Sequence, residues 1–394
     1  MSGFGFDTVL DRRVVPALKH HRMVLGADGM DLFAAGVADM DFAVAPCITQ
    51  AIAARAAHPV FGYEAVPDGL LPALTGWLSA RHRWQVDQAH ILRAPNVLNA
   101  LAMAVNLFTK PGQGVIVQPP VFFDFADIIA ENGRRMVENP LILQDGRYQM
   151  DLAGVERLAA DPDTRLMFLC NPHNPVGRVW TRDELARLAQ IARAHDVLVV
   201  ADEIHGDLTF AGHRYTPFAS VADPADVITC LSPAKSFNIA ACSAAFTVVA
   251  DPARRAAFQA ENSRLTVNKN NAFASVAMQA AYTQGGPWLD AALDYIAGNL
   301  ALLRARLAEM PGVTLIAPEG TFLAWLDFRA LGLAPDELTA FLRGRAAWAV
   351  TRGIAFGPQG AGFARLNFAC PRARLDAALD TLEAALHDHR KDTR

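Results

Sequence analysis

The 394-residue chain has few cysteines, little net charge and no long apolar run, and each of these scarcities argues against a class of protein. Acidic and basic residues are interspersed with a net charge of -4, so no nucleic-acid surface is predicted. No uncharged apolar run reaches the length of a membrane span, and residues 1–21 lack the apolar core of a signal peptide. Five scattered cysteines without a CxxC pair favour reduced thiols. We therefore expect a cytoplasmic protein with no membrane partner, no nucleic-acid partner and no metal site.

Apolar segments of strand length alternate with amphipathic helical patterns in the first two thirds of the chain. The segments are nearly all apolar, which is typical of strands covered on both faces, as in a mainly parallel α/β sheet with helices on each side. A Thr-x-x-Glu capping box at Thr181 and Glu184 predicts a helix over 181–195. Polar residues follow the carboxyl ends of the strands, where open α/β sheets bind ligands. The predicted strands span residues 115–118, 166–170, 197–201, 227–231 and 244–250.

The pattern changes near residue 288, where a long helix over 288–310 is predicted. Two or three strands and two helices follow, and the last helix spans 373–389. Because 394 residues exceed what a single core usually holds, two domains are expected. We interpret residues 48–286 as a large domain, 287–394 as a smaller α+β domain, and 1–47 as an N-terminal segment that joins the small domain.

Lys235 is one of only five lysines, and it follows shortly after the predicted strand 227–231. Desolvation at the end of a buried strand lowers the pKa of an ammonium group and leaves a nucleophilic amine. Such an amine suits a Schiff base with a carbonyl cofactor. The alternative is a strand-end lysine that reaches into solvent.

Two other strand ends carry polar residues that can serve the same site. Asp202 closes the most apolar strand, and a buried carboxylate needs a partner. That partner is either the protonated pyridine nitrogen of a cofactor or an internal group, as in a helix N-cap or a buried salt bridge. Residues 171–177 form a turn in which two prolines fix φ and Gly177 permits a left-handed conformation. This turn can direct an asparagine amide at a ligand oxygen or serve a purely structural role.

Two further positions predict sites for anions. Backbone N–H groups after Asn96, ahead of the helix body at 100–108, suit a phosphate, to which Ser232 can add a hydroxyl group. Any helix start offers such N–H groups. Arg365 lies in mid-strand among apolar residues, where its guanidinium demands either a ligand carboxylate or an internal Asp or Glu.

Seven segments carry a resemblance to a known family. The chain resembles the fold-type I, class I/II pyridoxal-phosphate enzymes along nearly its full length. Within them it resembles the cystathionine β-lyase branch, whose members cleave carbon–sulfur bonds of cysteine conjugates. The resemblance implies a large domain with a mainly parallel seven-stranded sheet flanked by helices, a smaller α+β domain, and a homodimer with active sites at the subunit interface. The matching segments are 37–42, 58–63, 171–177, 202–205, 235–240, 318–321 and 365–371.

The resemblance also implies roles at the reacting end of the site. Lys235 binds pyridoxal 5'-phosphate (PLP) covalently and later moves the Cα proton of the substrate. Asp202 pairs with the pyridine nitrogen, and Asn174 hydrogen-bonds the phenolic oxygen. Arg365, alongside Asn174, grips the α-carboxylate of a small amino-acid substrate.

The remaining implied roles concern the phosphate and the ring of the cofactor. Ser232 and the backbone groups of Val97 and Leu98 hold the phosphate, and Phe122 stacks on the ring. Tyr63, a catalytic and cofactor-binding candidate, comes from the neighbouring subunit toward the phosphate, which is the reason to expect a homodimer.

Five positions depart from patterns common among related enzymes. Phe122 stands where Tyr is common, Asn96 where Gly is common, and Gly36 where Trp is frequent, which favours a larger substrate pocket. Aminotransferases of this class usually have Arg at the place of Ser243 and Tyr at the place of His205, so both positions favour a lyase. The His205 imidazole, expected beside the cofactor, suits a proton transfer near neutral pH.

These residues predict β-elimination from cystathionine or a related cysteine S-conjugate, which gives a thiol, pyruvate and ammonia. One alternative is an aminotransferase, which uses the same geometry to pass an amino group to a 2-oxo acid. An alternative of another class is a regulatory, protein-binding role for the same fold, with no added DNA-binding domain expected because family-like sequence begins by residue 7. The presence of Lys235, Asp202, Asn174 and Arg365 together favours an enzyme.

Overall fold

A computed structural model describes residues 3–26, 29 and 31–392. Apart from short 3-10 turns, these residues form twelve α-helices and fifteen strands. The helices are α1 (Arg22–Leu25), α2 (Pro46–Ala57), α3 (Leu70–His82), α4 (Val97–Phe108), α5 (Asp124–Glu131), α6 (Leu152–Ala159), α7 (Arg182–Ala194), α8 (Pro252–Arg264), α9 (Ala272–Gln284), α10 (Gly286–Ala308), α11 (Pro335–Gly344) and α12 (Arg372–Asp392). The strands are β1 (Phe33–Ala34), β2 (Ile91–Ala94), β3 (Gly114–Val117), β4 (Arg135–Glu138), β5 (Ile142–Gln144), β6 (Arg147–Gln149), β7 (Thr164–Cys170), β8 (Leu198–Asp202), β9 (Val227–Leu231), β10 (Ala245–Val249), β11 (Thr314–Ile316), β12 (Leu323–Asp327), β13 (Trp348–Ala349), β14 (Thr351–Arg352) and β15 (Phe363–Asn367).

Seven strands form the central sheet, in the order β2-β10-β9-β8-β7-β3-β4. Strands β9, β8, β7, β3 and β4 run parallel, and β10 is antiparallel to both of its neighbours. Successive residues of β8 enter two different apolar clusters, Leu198 and Val200 in one and Val199 and Ala201 in the other. Both faces of the sheet are therefore covered, which explains the continuous apolar runs. The predicted mainly parallel, seven-stranded sheet is confirmed.

Helix α7 shows how a local signal sets the start of an element. The Thr181 hydroxyl accepts a hydrogen bond from the backbone N–H of Glu184 (3.2 Å), and the Glu184 carboxylate accepts one from the N–H of Thr181 (2.8 Å). The predicted capping box is confirmed, and the helix starts one residue later. Its apolar stripe, which includes Leu185 and Leu188, is buried against the fold.

A second sheet is antiparallel and has four strands in the order β11-β12-β15-β14. The helices predicted at 288–310 and 373–389 correspond to α10 and α12, with ends displaced by three residues or fewer. The prediction of two or three strands after the long helix was wrong, because five are found among the described residues. Strands β13 and β14 have two residues each, too short to leave a periodic signal.

The N-terminal segment joins this second part of the fold through β1, which pairs in parallel with β13. Asn367 on β15 donates hydrogen bonds from Nδ2 to the carbonyls of Val37 (2.7 Å) and Asp39 (2.6 Å). These contacts support the predicted joining of residues 1–47 to the small domain. The domain bounds themselves stay a prediction, and residues 1, 2, 27, 28, 30, 393 and 394 of those ranges lie outside the described part of the chain.

The parallel strands bring three predicted site segments to one edge of the central sheet. Cys170, Asp202 and Cys230 are register partners across β7, β8 and β9. The turn 171–177 and the turn that carries Lys235 therefore leave the sheet side by side, with Asp202 between them. This carboxyl edge is where open α/β sheets bind ligands.

Candidate active site

A cavity of about 290 Å³ opens at this edge of the sheet. Eight of the ten residues predicted for the site line the cavity, and Arg365 and Tyr63 do not. The lining comes from the start of α4, the segment before α5, the ends of β7 and β8, and the turns around Lys235. It comprises Ala38, Asn96, Val97, Leu98, Phe122, Cys170, Asn174, Asp202, Ile204, His205, Ser232, Ala234, Lys235, Ala240, Ser243 and Ala244.

Lys235 extends across the cavity from the turn after β9. Its Nζ donates a hydrogen bond to the carbonyl oxygen of Ala38 (2.8 Å) on the N-terminal segment. Burial, helped by the positive charge of Arg365, lowers the pKa of the ammonium group to about 8, although the carboxylates of Asp39 and Asp202 oppose the shift. A substantial fraction of the amine is therefore neutral and nucleophilic near physiological pH.

Asp202 is the last residue of β8, and it is 5% exposed. Its carboxylate accepts one hydrogen bond, from the backbone N–H of Ile204 (3.2 Å), and within the described residues it forms no salt bridge. Burial raises the pKa of this carboxyl group to about 6, against the opposing effects of that hydrogen bond and of Lys235. A turn, not an α-helix, follows Asp202, so neither internal alternative considered from the sequence supplies its partner.

Arg365 lies in the middle of β15 and is also buried. Its Nη1 donates to Oδ1 of Asn174 (2.9 Å), and its Nη2 donates to the carbonyl of Gly36 (2.7 Å) and to the hydroxyl of Thr351 (3.2 Å). Its Nε has no hydrogen-bond partner among the described residues. No Asp or Glu of that part of the chain forms an ion pair with it, and burial lowers the pKa of the guanidinium to about 9. A buried guanidinium that lacks a carboxylate fits an anionic ligand.

The turn 171–177 holds Asn174 in place beside Arg365. Gly177 has a φ of +72°, and a Cβ atom at this position would lie 2.5 Å from Cβ of Pro318. Only glycine fits both the left-handed backbone and this close approach. The predicted left-handed turn is confirmed, and it directs the Asn174 amide at the cavity.

The start of α4 forms one end of the cavity. Asn96 is the N-cap, and its Oδ1 accepts a hydrogen bond from the N–H of Asn99 (2.8 Å). The helix begins at Val97, three residues earlier than the predicted helix body, so the N–H groups of Val97 and Leu98 are unpaired within the helix. The Ser232 hydroxyl lines the same cavity and donates to the carbonyl of Ala244 (2.7 Å). This end of the cavity has the donors that a phosphate needs.

Phe122 and His205 lie in the cavity wall, as predicted, but the expected proton transfer by His205 does not fit its surroundings. His205 is 3% exposed, and its Nδ1 has no partner among the described residues. Burial, with the positive charges of Lys235 and Arg365, lowers the pKa of the imidazole to about 3. The ring is therefore neutral at physiological pH and too weak a base for a proton transfer there.

Sequence reasoning did not predict Cys170, Ile204 and Ala38 as parts of the site. Cys170 ends β7 beside Asp202, and its Sγ accepts a weak hydrogen bond from the N–H of Asn174 (3.4 Å). Ile204 lines the cavity two residues after Asp202. Ala38 acts through its carbonyl group, which leaves no signal in its side chain. The sequence indicated Cys170 and Ile204 only through their positions at or just after the carboxyl ends of β7 and β8.

Asp207 is a further missed residue, just behind the cavity. Its side chain is 10% exposed, and it accepts hydrogen bonds from Trp77 Nε1 (2.9 Å), His82 Nε2 (2.7 Å) and Ser236 Oγ (2.7 Å). Burial tends to raise the pKa of Asp207, but the bonds from His82 and Ser236 outweigh it, so the pKa is lowered. Because Ser236 follows Lys235 directly, Asp207 ties the lysine-bearing turn to α3.

Tyr63 lies outside the cavity and is completely exposed, with a relative exposure of 103%. Val60 and Phe61 in the same segment are each 63% exposed. Within the described residues of a single chain, Tyr63 therefore reaches none of the other nine predicted residues. Nothing in this chain alone explains three exposed apolar side chains in so short a segment.

Comparison with known proteins agrees with this geometry. Residues 31–382 match the family model for aminotransferase class I and II. The chain is 43% identical over 353 residues to the cystathionine beta-lyase PatB of Bacillus subtilis (strain 168), covering 89% of this chain and 91% of PatB. The crystal structure of cystalysin from Treponema denticola, which contains a PLP cofactor, superposes with a TM-score of 0.94 at 30% identity, covering 98% and 99% of the two chains. The PLP-bound C-S lyase from Staphylococcus hominis gives 0.89 at 28% identity, covering 97% and 99%.

The chain belongs to the aminotransferase class I and II family. The resemblance to the cystathionine β-lyase branch that the sequence motifs carried is confirmed by these relatives. Within the described residues, no helix is both long enough and apolar enough to cross a bilayer.

Proposed function

We propose that the protein is a PLP-dependent carbon–sulfur β-lyase that acts on cystathionine or related cysteine S-conjugates and releases a thiol, pyruvate and ammonia. One observation carries this proposal: a buried carboxylate without a cation and a lysine of lowered pKa line one cavity, and a buried guanidinium without an anion contacts Asn174 in the wall of that cavity. A purely structural site would pair these charges with one another. The C–S lyase relatives support the same chemistry.

The residues present fit PLP. Asp202 would hold the protonated pyridine nitrogen, which is the cation that its buried carboxylate lacks. Asn174 would hold the phenolic oxygen through its amide. The phosphate would be held by Ser232 and by the N–H groups of Val97 and Leu98, at the positive end of the α4 dipole. Phe122 would cover the ring, and stacking does not require the hydroxyl group of a tyrosine.

Arg365 and Asn174 orient the substrate. Arg365 binds the α-carboxylate with its guanidinium, whose Nε is available for a second hydrogen bond and whose Nη1 is fixed by Asn174. A bidentate pair fixes direction as well as position, so the Cα–H of the substrate is aimed at one place.

Lys235 is the group that moves the proton. With its pKa near 8, Nζ removes a proton from Cα of the bound substrate when neutral. When bound, PLP supplies the electron sink that stabilises the electron pair left at Cα. A thiolate then leaves from Cβ, which is feasible because thiols have a pKa of roughly 8.5. Burial around Lys235 excludes water that would compete for the proton.

The protein acts as a homodimer in this proposal, and the partner subunit supplies Tyr63 toward the phosphate. The complete exposure of Tyr63, together with that of Phe61 and Val60, supports a covered position in a dimer. Mixing inactive Lys235→Ala subunits with inactive Tyr63→Ala subunits tests it, because hybrid dimers regain one intact site. No recovery of activity after exchange would contradict a shared site. A cytoplasmic location is also proposed, and it is supported by the five free thiols.

The decisive assay measures pyruvate and free thiol from L-cystathionine with the PLP-loaded protein and no 2-oxo acid. Sustained release of both products in equal amounts is expected, and Lys235→Ala should abolish it. If neither product formed while an added 2-oxo acid restored amino-group transfer, the protein would be an aminotransferase.

A further inference from the structure

Residues 36–40 of the N-terminal segment form neither a helix nor a strand, and side chains hold their backbone instead. Each of the five carbonyl groups accepts a hydrogen bond from a side chain elsewhere in the fold. Arg365 Nη2 donates to the carbonyl of Gly36 (2.7 Å), and Lys235 Nζ donates to that of Ala38 (2.8 Å). The donors to the other three carbonyls are Asn367, Lys19 and Asn238. The position of this segment therefore decides where both cations of the candidate site find an acceptor.

The Ala38 carbonyl belongs to the planar peptide group that joins Ala38 to Asp39, so its direction depends on how that group is turned. The N–H of the same group donates to the carbonyl of Val37 (3.0 Å) in a tight turn. On the other side of the group, the direction depends on the position of Asp39. Whatever fixes Asp39 therefore also directs the Ala38 carbonyl at Lys235.

Lys19 holds Asp39 by both its backbone and its side chain. Its Nζ donates to the carbonyl oxygen of Asp39 (2.7 Å), and it lies 2.9 Å from Oδ1 of Asp39 and 2.9 Å from Oδ1 of Asp41. These acceptors satisfy the three donors of an ammonium group. Lys19 is only 2% exposed, so a displaced acceptor would leave a buried charge incompletely paired. The contacts of Lys19 therefore restrict the position of Asp39 closely.

Charge neutralisation alone does not account for Lys19. Arg12 already binds the same two carboxylates, at 2.6 Å from Oδ2 of Asp39 and 2.7 Å from Oδ1 of Asp41, and its side chain is 19% exposed. A second, more deeply buried cation has a further desolvation cost. Lys19 adds a charged donor to the carbonyl of Asp39, one peptide group away from the carbonyl that holds Lys235.

We propose that Lys19 is a positioning residue for Lys235: it fixes Asp39, and thereby the Ala38 carbonyl, so that the Lys235 amine meets PLP from one direction. A neutral amine that donates one N–H to a fixed carbonyl has its lone pair confined to a narrow range of directions, as nucleophilic attack requires. The proposal rests on the proposed role of Lys235 in binding PLP, and it does not depend on which reaction follows.

The rate at which the cofactor-free protein binds PLP tests this role without any substrate. In that step Nζ of Lys235 bonds to the aldehyde carbon of PLP, and the two amine protons leave with the aldehyde oxygen as water. At high pH the amine is fully neutral, so the rate reports its orientation and no longer its protonation. We expect Lys19→Met to lower the high-pH rate roughly tenfold. The control Lys110→Met replaces an exposed lysine, and it should change the rate by less than about twofold.

The pH dependence of the same rate separates orientation from charge. Burial and the charge of Arg365 lower the pKa of Lys235, Asp39 opposes this shift and Lys19 adds to it. Lys19→Met should therefore displace the pH midpoint of PLP binding upward as well as lower the high-pH rate. A displaced midpoint with an unchanged high-pH rate would mean that Lys19 acts only through its charge, and it would overturn the proposal. The charged or titratable groups that face Lys235 are Arg365, Asp39, Asp202, Lys19, His205 and Asp124.

Asp39→Asn is a second variant that tests the proposal even if Lys19→Met does not fold. Asparagine keeps the shape of the side chain, which is 20% exposed, but it weakens the bonds to Lys19 and Arg12 because they lose charge assistance. The midpoint should move downward, opposite to Lys19→Met, whereas the high-pH rate should again fall, by roughly threefold. An unchanged high-pH rate in Asp39→Asn would overturn the positioning role. If PLP binding behaved as expected while L-cystathionine was not cleaved, the lyase function would fail and the role of Lys19 would stand.

Discussion

Replacing Asp202 by Asn should stabilise the cofactor-free protein at neutral and alkaline pH, although it removes a residue that the proposed reaction needs. Burial raises the pKa of Asp202 from an ordinary value of 3.8 to about 6. The folded state therefore holds the carboxyl proton more tightly than the unfolded chain does. Stability is lost as pH rises through the interval from about 4 to 6, and the full cost is present above pH 6.

The size of the effect follows from the pKa difference. The two values differ by 6 − 3.8, or about 2 units, and each unit corresponds to about 1.4 kcal/mol. Asp202 thus costs the cofactor-free protein ~3 kcal/mol above pH 6. The side chain is 5% exposed, so solvent screening reduces this figure little. Asparagine is neutral at every pH, so it does not incur this electrostatic cost. Burial of its amide group still has a desolvation cost of its own.

Thermal unfolding of cofactor-free wild type and Asp202→Asn between pH 5 and pH 8 measures the difference. We expect the variant to gain on the wild type as pH rises, and the exposed Asp183 on α7, replaced by Asn, to give no such trend. Adding PLP should stabilise the wild type more than the variant, because the protonated pyridine nitrogen pairs with the carboxylate. A stability difference that does not vary with pH, or a wild type that is the more stable form at pH 8 without PLP, would refute the reasoning.

Three further predictions concern the other groups of the site. Arg365→Lys keeps the charge but loses the planar pair of donors, so steady-state kinetics should show kcat/KM falling roughly 100-fold with a raised KM. An unchanged KM would contradict the role of Arg365 in binding the substrate α-carboxylate. Burial lowers the pKa of Lys235 to about 8, so the rate at which the cofactor-free protein binds PLP should rise about tenfold per pH unit below pH 8 and level off above it. Absorbance follows this rate. A rise that continued to pH 10 would contradict the lowered pKa. Asp207→Asn should lower kcat with little change in KM, and it should displace the pH midpoint of the bound-cofactor absorbance. The control Asp290→Asn, which replaces the exposed carboxylate paired with Arg81, should do neither. An unaltered absorbance titration in Asp207→Asn would limit Asp207 to a purely structural role.

Local signals made much of the fold predictable. The start of α7 depends on Thr181 and Glu184, three residues apart, and both bonds of the capping box are present. The strands of the central sheet are continuous apolar runs because helices cover both faces. The carboxyl-edge rule then brings together residues as distant in sequence as Asn174 and Lys235.

The rest of the site depends on contacts that no local pattern records. Asp207 receives bonds from Trp77 and His82, which are 130 and 125 residues away in sequence. Burial of a single side chain leaves no local pattern either, so no feature of the sequence indicated that His205 is a much weaker base than an ordinary histidine. Tyr63 shows a third limit, because its proposed place in a partner's site depends on a second chain.

A buried charge elsewhere in the chain shows how the candidate site differs from a structural ion pair. Arg178 is as deeply buried as Arg365, but its guanidinium forms ion pairs with Glu319 (2.9 Å) and Glu184 (3.0 Å). The guanidinium of Arg178 is therefore paired with carboxylates, whereas Arg365 and Asp202, at the candidate site, form no ion pair within the described residues. Each unpaired group specifies one feature of what binds there: a carboxylate for Arg365 and a protonated ring nitrogen for Asp202.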